Sequence, residues 1–316
     1  MDQDFYYKQT IFRSDFFLIF VTKIKHMFVQ SNTVASIKQY FQERLRSMYT
    51  ESEIRGIVHH AVKVRLNLTD ADLLLANENR LSESDLLYFR GIVKRLQNHE
   101  PVQYVFGDTE FCGLLIKCDH RALIPRPETE ELVEWIYSDW KRKNPVILDV
   151  CTGTGCIAFA LKNLIPDADV SAVDVSNDAL ELADENKKLL GLQVKLKQVD
   201  VLSDIQHWGM VRETFDCWVS NPPYIPLVER ERMEENVLGF EPEMALFVPD
   251  SDPLLFYRAI MQAGIYFLKP GGQLYLELHE DFADESLQLM QQTGYVQCEL
   301  KNDLQGKTRM LKGTKK

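Results

Sequence analysis

Apolar residues change their spacing twice along this chain. From about Val34 to Asn98 they recur at helical intervals: Ile37, Phe41 and Leu45, then Ile54, Ile57, Val58, Ala61 and Val62, then Leu86, Phe89, Ile92, Val93 and Leu96. Thr50 with Glu53 has the spacing of a capping box, and Thr69 with Asp72 and Ser82 with Asp85 mark two further helix starts. A small helical bundle is expected over residues 33–100. Between 101 and 122 the spacing shortens. Val102, Tyr104 and Phe106, then Leu114 and Ile116, alternate around Gly107 and Gly113, which predicts a hairpin linker. Pro127, with Glu128 and Glu130 behind it, opens another amphipathic helix.

From Val146 the rhythm becomes strand, turn, helix. Strands are predicted at Val146–Val150, Val170–Val173, Val194–Val199, Phe215–Ser220 and Gln273–Leu278, the last after a Lys269-Pro270-Gly271-Gly272 turn. Helices are predicted over Ile157–Leu164, Ala179–Leu190, with Ser176 suited to its N-cap, and Leu254–Phe267. Alternating βα units imply a doubly wound, mainly parallel α/β sheet over 123–316, with a ligand at the carboxyl ends of the strands.

Bulk properties narrow the classes. With 316 residues, 45% hydrophobic and 26% charged, the chain is long enough for two domains and an ordinary core. A net charge of −11 argues against a nucleic-acid binder, whose affinity comes from neutralising phosphates. The six cysteines form no Cys-x-x-Cys pair and His59 and His60 are adjacent, so no metal is expected and the thiols read as reduced small hydrophobes of a cytoplasmic protein. Phe16 to Val21 is too short an apolar run to cross a bilayer, and it lacks a basic flank and a cleavage site. Residues 1–32 are read as an extension, with Met27 as an alternative start.

Chemistry is concentrated at the strand ends. Asp149-Val150-Cys151-Thr152-Gly153-Thr154-Gly155 leaves the first strand and opens a helix, where glycines admit a ligand to the backbone and the helix N-terminus offers free N–H groups. Asp174, about 20 residues on, stands where a ribose-binding acid belongs. These features fit NAD and S-adenosylmethionine alike. At the third strand end, Asp200 is an acceptor for an adenine amino group and Val201 supplies a backbone N–H; a solvated strand-end acid is the plainer alternative. Asn221-Pro222-Pro223-Tyr224 follows the fourth strand. Two prolines make a rigid extended corner, the Asn221 and Pro222 carbonyls suit a planar –NH2 group, and Tyr224 gives it an aromatic face. An amide nitrogen is a poor nucleophile, so holding it in line with a sulfonium methyl is the main service such a site performs.

Taken together, Gln103-Tyr104-x-x-Gly107, Ile124-Pro125-Arg126-Pro127-Glu128-Thr129-Glu130, the glycine turn, Asn221 to Tyr224, Phe240-Glu241-Pro242 with Ala245-Leu246, and Asp303-Leu304-x-Gly306-x-x-Arg309 resemble the release factor glutamine N5-methyltransferase family over roughly residues 35–312. The resemblance implies a seven-stranded, S-adenosylmethionine-dependent methyltransferase sheet whose last strand is antiparallel, preceded by a helical domain that helps dock a protein substrate. That substrate is a class I peptide-chain release factor, methylated on the glutamine of its Gly-Gly-Gln loop, with S-adenosylhomocysteine as the product. By position, the resemblance puts Cys151 to Gly155, Asp174, Val201 and Asn221 against the cofactor. Asn221 to Tyr224 hold the amide, and Arg126 and Glu128 lie at the cofactor's edge on the substrate side. Asn221, Pro222 and Tyr224 are the expected catalytic residues, Asp149 and Asp200 further cofactor neighbours, and the protein is expected to be a monomer. Two positions depart from the family: Cys151 stands where glycine is usual, and His279-Glu280 where many relatives have a glycine-containing turn. The rivals are a DNA adenine-N6 or cytosine-N4 methyltransferase, an NAD-dependent oxidoreductase and a non-catalytic subunit of the same fold.

Overall fold

A computed structural model describes residues 31–316; the expectations for the N-terminal extension up to residue 30, Met27 included, lie outside the described residues, while Asn32 at its end exchanges hydrogen bonds with the Leu81 backbone. The chain forms two compact units divided between Val105 and Phe106.

The first unit is helical: α1 (Val34–Leu45), α2 (Glu51–Leu66), α3 (Asp70–Leu75), α4 (Glu83–Gln97) and the one-turn α5 (Val102–Phe106), which runs across the division. The starts of α1 to α4 each follow from a side-chain oxygen that satisfies an orphan N–H, Thr33 serving α1. Thr50 with Glu53, Thr69 with Asp72 and Ser82 with Asp85 all form reciprocal capping boxes. Ile37, Phe41 and Leu45 are fully buried, and Phe41 meets Phe89 of α4 edge to face at 6.3 Å.

Residues 102–106 are helical and not the first strand of a hairpin as their alternation predicted. Val105 N–H donates to the Pro101 carbonyl, and Arg95 Nη1 and Nη2 each donate, at 2.8 Å, to the Val105 and Tyr104 carbonyls. A guanidinium sitting on the terminal carbonyls stabilises a single turn that alternation alone cannot anticipate. The hairpin itself is shorter, β1 (Asp108–Phe111) and β2 (Leu114–Lys117).

The second unit continues with α6 (Pro127–Trp140), β3 (Val146–Val150), α7 (Cys156–Leu164), β4 (Asp169–Asp174), α8 (Asn177–Leu190), β5 (Lys195–Gln198), β6 (Phe215–Ser220), the two-residue strands β7 (Ile225–Pro226) and β8 (Phe247–Val248), α9 (Leu255–Phe267), β9 (Leu268–Glu277), α10 (Ala283–Thr293), β10 (Tyr295–Asn302) and β11 (Thr308–Lys315). Its seven-stranded sheet has the order β10-β11-β9-β6-β3-β4-β5. β3, β4, β5, β6 and β9 run parallel, and β11 lies antiparallel between β9 and β10, as the family resemblance implied.

Alternation along each strand supplies two cores. Ile147, Cys217, Val219 and Tyr275 face α6 and α7. Leu148, Val150, Trp218, Leu274 and Leu276 face α9 and α10, where Trp208, Trp218 and Phe267 stack on one another with ring centroids 5.5, 5.9 and 6.0 Å apart. The Lys269–Gly272 turn is not a break before β9 but a bulge inside it: pairing with β6 jumps from Phe215↔Leu268 to Cys217↔Gln273. Gly272 permits this, since a Cβ there would stand 2.9 Å from the Lys269 carbonyl oxygen and 3.2 Å from those of Phe215 and Asp216. Among the described residues, no helix is long and apolar enough to cross a membrane.

The turn after β3 has the tightest steric demand. Gly155 adopts φ +82°, and a Cβ on it would fall 2.3 Å from the Phe159 ring. Gly155→Ala therefore combines left-handed strain with an overlap against a buried aromatic, together roughly 3 kcal/mol. The melting temperature should fall by roughly 6–12 °C, measured by calorimetry on the purified protein.

Candidate active site

The order of the central strands reverses at β3: the chain steps outward through β4 and β5, then returns to the other side of β3 at β6. Loops diverge there, and a crevice opens beyond the strand carboxyl ends. It is a cavity of about 430 Å³, a size suited to a small organic molecule. Cys151, Thr152, Gly153 and Thr154 line it from β3, Asp174 from β4, Asp200 and Val201 from the segment after β5, and Asn221 and Pro223 from the corner after β6. The opposite wall comes from Arg121 to Arg126 and from Pro242, Met244, Phe247 and Phe256.

Most of the predicted residues thus meet in one place. Asp149, Gly155, Pro222, Tyr224 and Glu128 do not line the cavity. Asp149 is wholly buried beneath the turn, where one carboxylate oxygen accepts from Thr152 Oγ1 at 2.5 Å and from Ala158 N–H at 3.2 Å. It shapes the turn from below, and burial pushes its carboxyl up to about 7. Asp174 is held by two backbone donors, Gly153 N–H at 2.9 Å and Ser176 N–H at 3.0 Å. Burial raises its carboxyl even so, the two N–H groups opposing the rise.

Cys151 carries a positive φ of 61°, which explains why glycine is usual there: the backbone is left-handed, at a cost of roughly 1 kcal/mol for a residue with a Cβ. Burial, reinforced by Asp174, raises its thiol well above the ordinary range, so it behaves as an inert lining group. His279 has an evident local role. Its Nδ1 accepts from Asp281 N–H and its Nε2 faces Glu229, so it caps the turn at Glu280–Phe282.

The Ile124 to Glu130 stretch is the largest difference from expectation. Arg126 reaches the cavity wall, but its Nη2 is paired at 2.6 Å with Glu241, whose other oxygen accepts from Ile124 N–H. Glu128 accepts from Gln305 Nε2 at 3.3 Å. Glu130 accepts from Cys112 N–H of the β1–β2 turn, and Thr129 Oγ1 donates to Glu277 Oε2 at 2.6 Å. Every polar side chain from Arg126 to Glu130 ties the start of α6 to another segment.

Glu277 is the most consequential residue that the sequence analysis missed. It closes β9, is 2% exposed, and its second oxygen accepts from Tyr224 OH at 3.1 Å. Asn221 Nδ2 in turn donates to Thr129 Oγ1 at 3.2 Å. An acid inside the run Leu274 to Leu278 was the available signal. Asn186, buried on α8, gave none. Its side chain holds both the Lys117 backbone N–H and carbonyl, and donates to the Thr154 carbonyl, fastening the hairpin to the glycine turn.

A seven-stranded doubly wound sheet with a glycine turn, an acid on the second strand and an Asn-Pro-Pro-Tyr corner after the fourth defines a methyltransferase. Comparison with known proteins agrees: residues 141–312 match the family model for a methyltransferase domain, and residues 37–107 match that for a PrmC N-terminal domain. The release factor glutamine methyltransferase of Flavobacterium psychrophilum is 37% identical over 283 residues, covering 87% of this chain and 98% of that protein. The protein of the same name from Bacteroides thetaiotaomicron is 38% identical over 278 residues, again covering 87% and 98%. Among solved structures, the protein-(glutamine-N5) methyltransferase (release factor-specific) from Alicyclobacillus acidocaldarius is 27% identical and covers 61% of this chain and 94% of that one, at a TM-score of 0.38. The chain belongs to the release factor glutamine methyltransferase family.

Asp149 offers a test of the buried turn. Its folded value of about 7 lies above the ordinary 3.8, so between them the folded protein holds a proton that the unfolded chain has lost. Stability must therefore fall as pH rises through that window. Urea denaturation at about pH 5 and about pH 8 should show a steeper loss in the parent protein than in Asp149→Asn.

Proposed function

We propose that this protein transfers a methyl group from S-adenosylmethionine to the side-chain amide nitrogen (N5) of the glutamine in the Gly-Gly-Gln motif of class I peptide-chain release factors. The observation that carries this reading is the state of Asn221. It lines the cavity, and its amide nitrogen is already engaged with Thr129, which leaves its carbonyl oxygen as the group for a ligand. A carbonyl acceptor at that position is complementary to an –NH2 donor.

The cavity suits the cofactor. Gly153, at φ +53°, leaves backbone for a close approach, and the Asp174 carboxylate, aligned by its two N–H donors, has lone pairs for a ribose diol. Asp200 and Val201 border the adenine end in this reading, with Cys151 to Thr154 along the amino-acid portion. When bound, S-adenosylmethionine supplies a sulfonium methyl and leaves as S-adenosylhomocysteine.

The chain's own residues do the positioning. Asn221 and the Pro222 carbonyl accept from the substrate amide, directing its nitrogen and stabilising the positive charge that develops there. Pro222 and Pro223 keep that corner from relaxing. Tyr224, tethered to Glu277, borders the flat amide group. Arg126 and Glu128 act on substrate indirectly, through the loops they hold. A release factor substrate places the protein in the cytoplasm.

Labelled S-adenosylmethionine with purified release factor tests this. Label on the Gly-Gly-Gln glutamine is expected, and label on duplex DNA instead would overturn the reading. Asn221→Ala should lower kcat by roughly 100–1,000-fold and leave cofactor affinity nearly unchanged by calorimetry. Asp174→Ala should show the opposite division, with cofactor Kd weakened by roughly 10–100-fold through loss of charge-assisted hydrogen bonds.

A further inference from the structure

We propose that Glu277 and Thr129 are positioning residues that set the polarity of the Asn221 amide, so that its oxygen and not its –NH2 faces the substrate. The inference rests on the reading above, in which Asn221 accepts from the glutamine amide. A carboxamide is nearly symmetric in shape, and packing alone discriminates poorly between its two orientations. If it turned over, Asn221 would present N–H donors to an –NH2 that is itself a donor, and the acceptor would be lost.

The structure supplies what packing lacks. A carboxylate only accepts, and Glu277 Oε2 therefore takes the single proton of Thr129 Oγ1, at 2.6 Å. With its proton committed, the Thr129 oxygen has only lone pairs left to offer Asn221. Asn221 must answer with Nδ2–H, as it does at 3.2 Å. The remaining carboxylate oxygen is occupied by Tyr224 OH at 3.1 Å, so one side chain orients both ends of the Asn-Pro-Pro-Tyr corner. Thr129 and Glu277 are each 2% exposed, so both hydrogen bonds are sheltered from bulk solvent, where a buried pair is stronger than in water. Burial raises the Glu277 carboxyl while both donated hydrogen bonds and Arg309 oppose the rise. Glu277 acts through Thr129 and Tyr224, not on the substrate.

The test uses four variants of the full chain, assayed with release factor and labelled S-adenosylmethionine. Thr129→Val keeps shape and removes the hydroxyl; Thr129→Ser keeps the hydroxyl. Glu277→Met removes both acceptor oxygens at similar size, and Asn221→Ala is the reference. Thr129→Val should lower kcat by roughly tenfold or more, with the KM for release factor and the cofactor affinity unchanged. Thr129→Ser should restore most of the activity, and Glu277→Met should fall at least as far as Thr129→Val. Parental kcat in Thr129→Val, or equal loss in Thr129→Val and Thr129→Ser, would overturn the relay while an inactive Asn221→Ala keeps the wider reading. Full turnover by Asn221→Ala would instead remove that reading and the relay with it. If Glu277→Met does not fold, the Thr129 pair decides alone.

Discussion

A cavity built from loops needs something other than a β-ladder to hold its walls, and here buried carboxylates do so. Asp149 gathers the glycine turn from beneath. Asp174 fastens that turn to the end of β4. Glu241 joins the Ile124–Arg126 segment to the loop before β8. Glu277 holds the start of α6 and the Asn-Pro-Pro-Tyr corner together. An ionised carboxylate accepts several hydrogen bonds at once, and in a site of low polarity each is stronger than in water. The same burial disfavours the charge, which is why Asp149, Asp174 and Glu277 are all shifted upward.

This arrangement suits the proposed chemistry. Methylating an amide nitrogen calls for orientation before it calls for acid or base strength, and orientation depends on how little the holding groups move. The corner after β6 is stiff because of its prolines, and it is closed on its far side by β7 pairing with β8, with Ile225 N–H donating to the Leu246 carbonyl. Cys151 fits the same pattern: a left-handed residue persists where surrounding contacts leave it no other conformation.

Much was legible along the chain. The helix caps, the βα alternation, the glycine turn and the Asn-Pro-Pro-Tyr corner all depend on residues close in sequence, whose local preferences the fold respects. Asp174, Asp200, Val201 and Asn221 meet in one cavity because strand ends converge at the reversal of strand order, and that reversal follows from the fold class. The stretch Arg126 to Glu130 illustrates the limit. Its distinctiveness was visible, but its purpose was not, because its partners at Glu241, Gln305, Cys112 and Glu277 are far away along the chain. The turn at Val102–Phe106 went the other way for a similar reason: the Arg95 guanidinium decides it from outside the segment.

The amino-acid sequence by itself determined the class of protein, through period, capping and a short set of motifs whose chemistry is local. Tertiary structure alone decided which polar groups face the cavity and which are consumed in holding it. The physical reason is that a buried side chain's role depends on the partner that satisfies it. For Asn186, Glu241 and Glu277 that partner becomes a neighbour only after the sheet is wound.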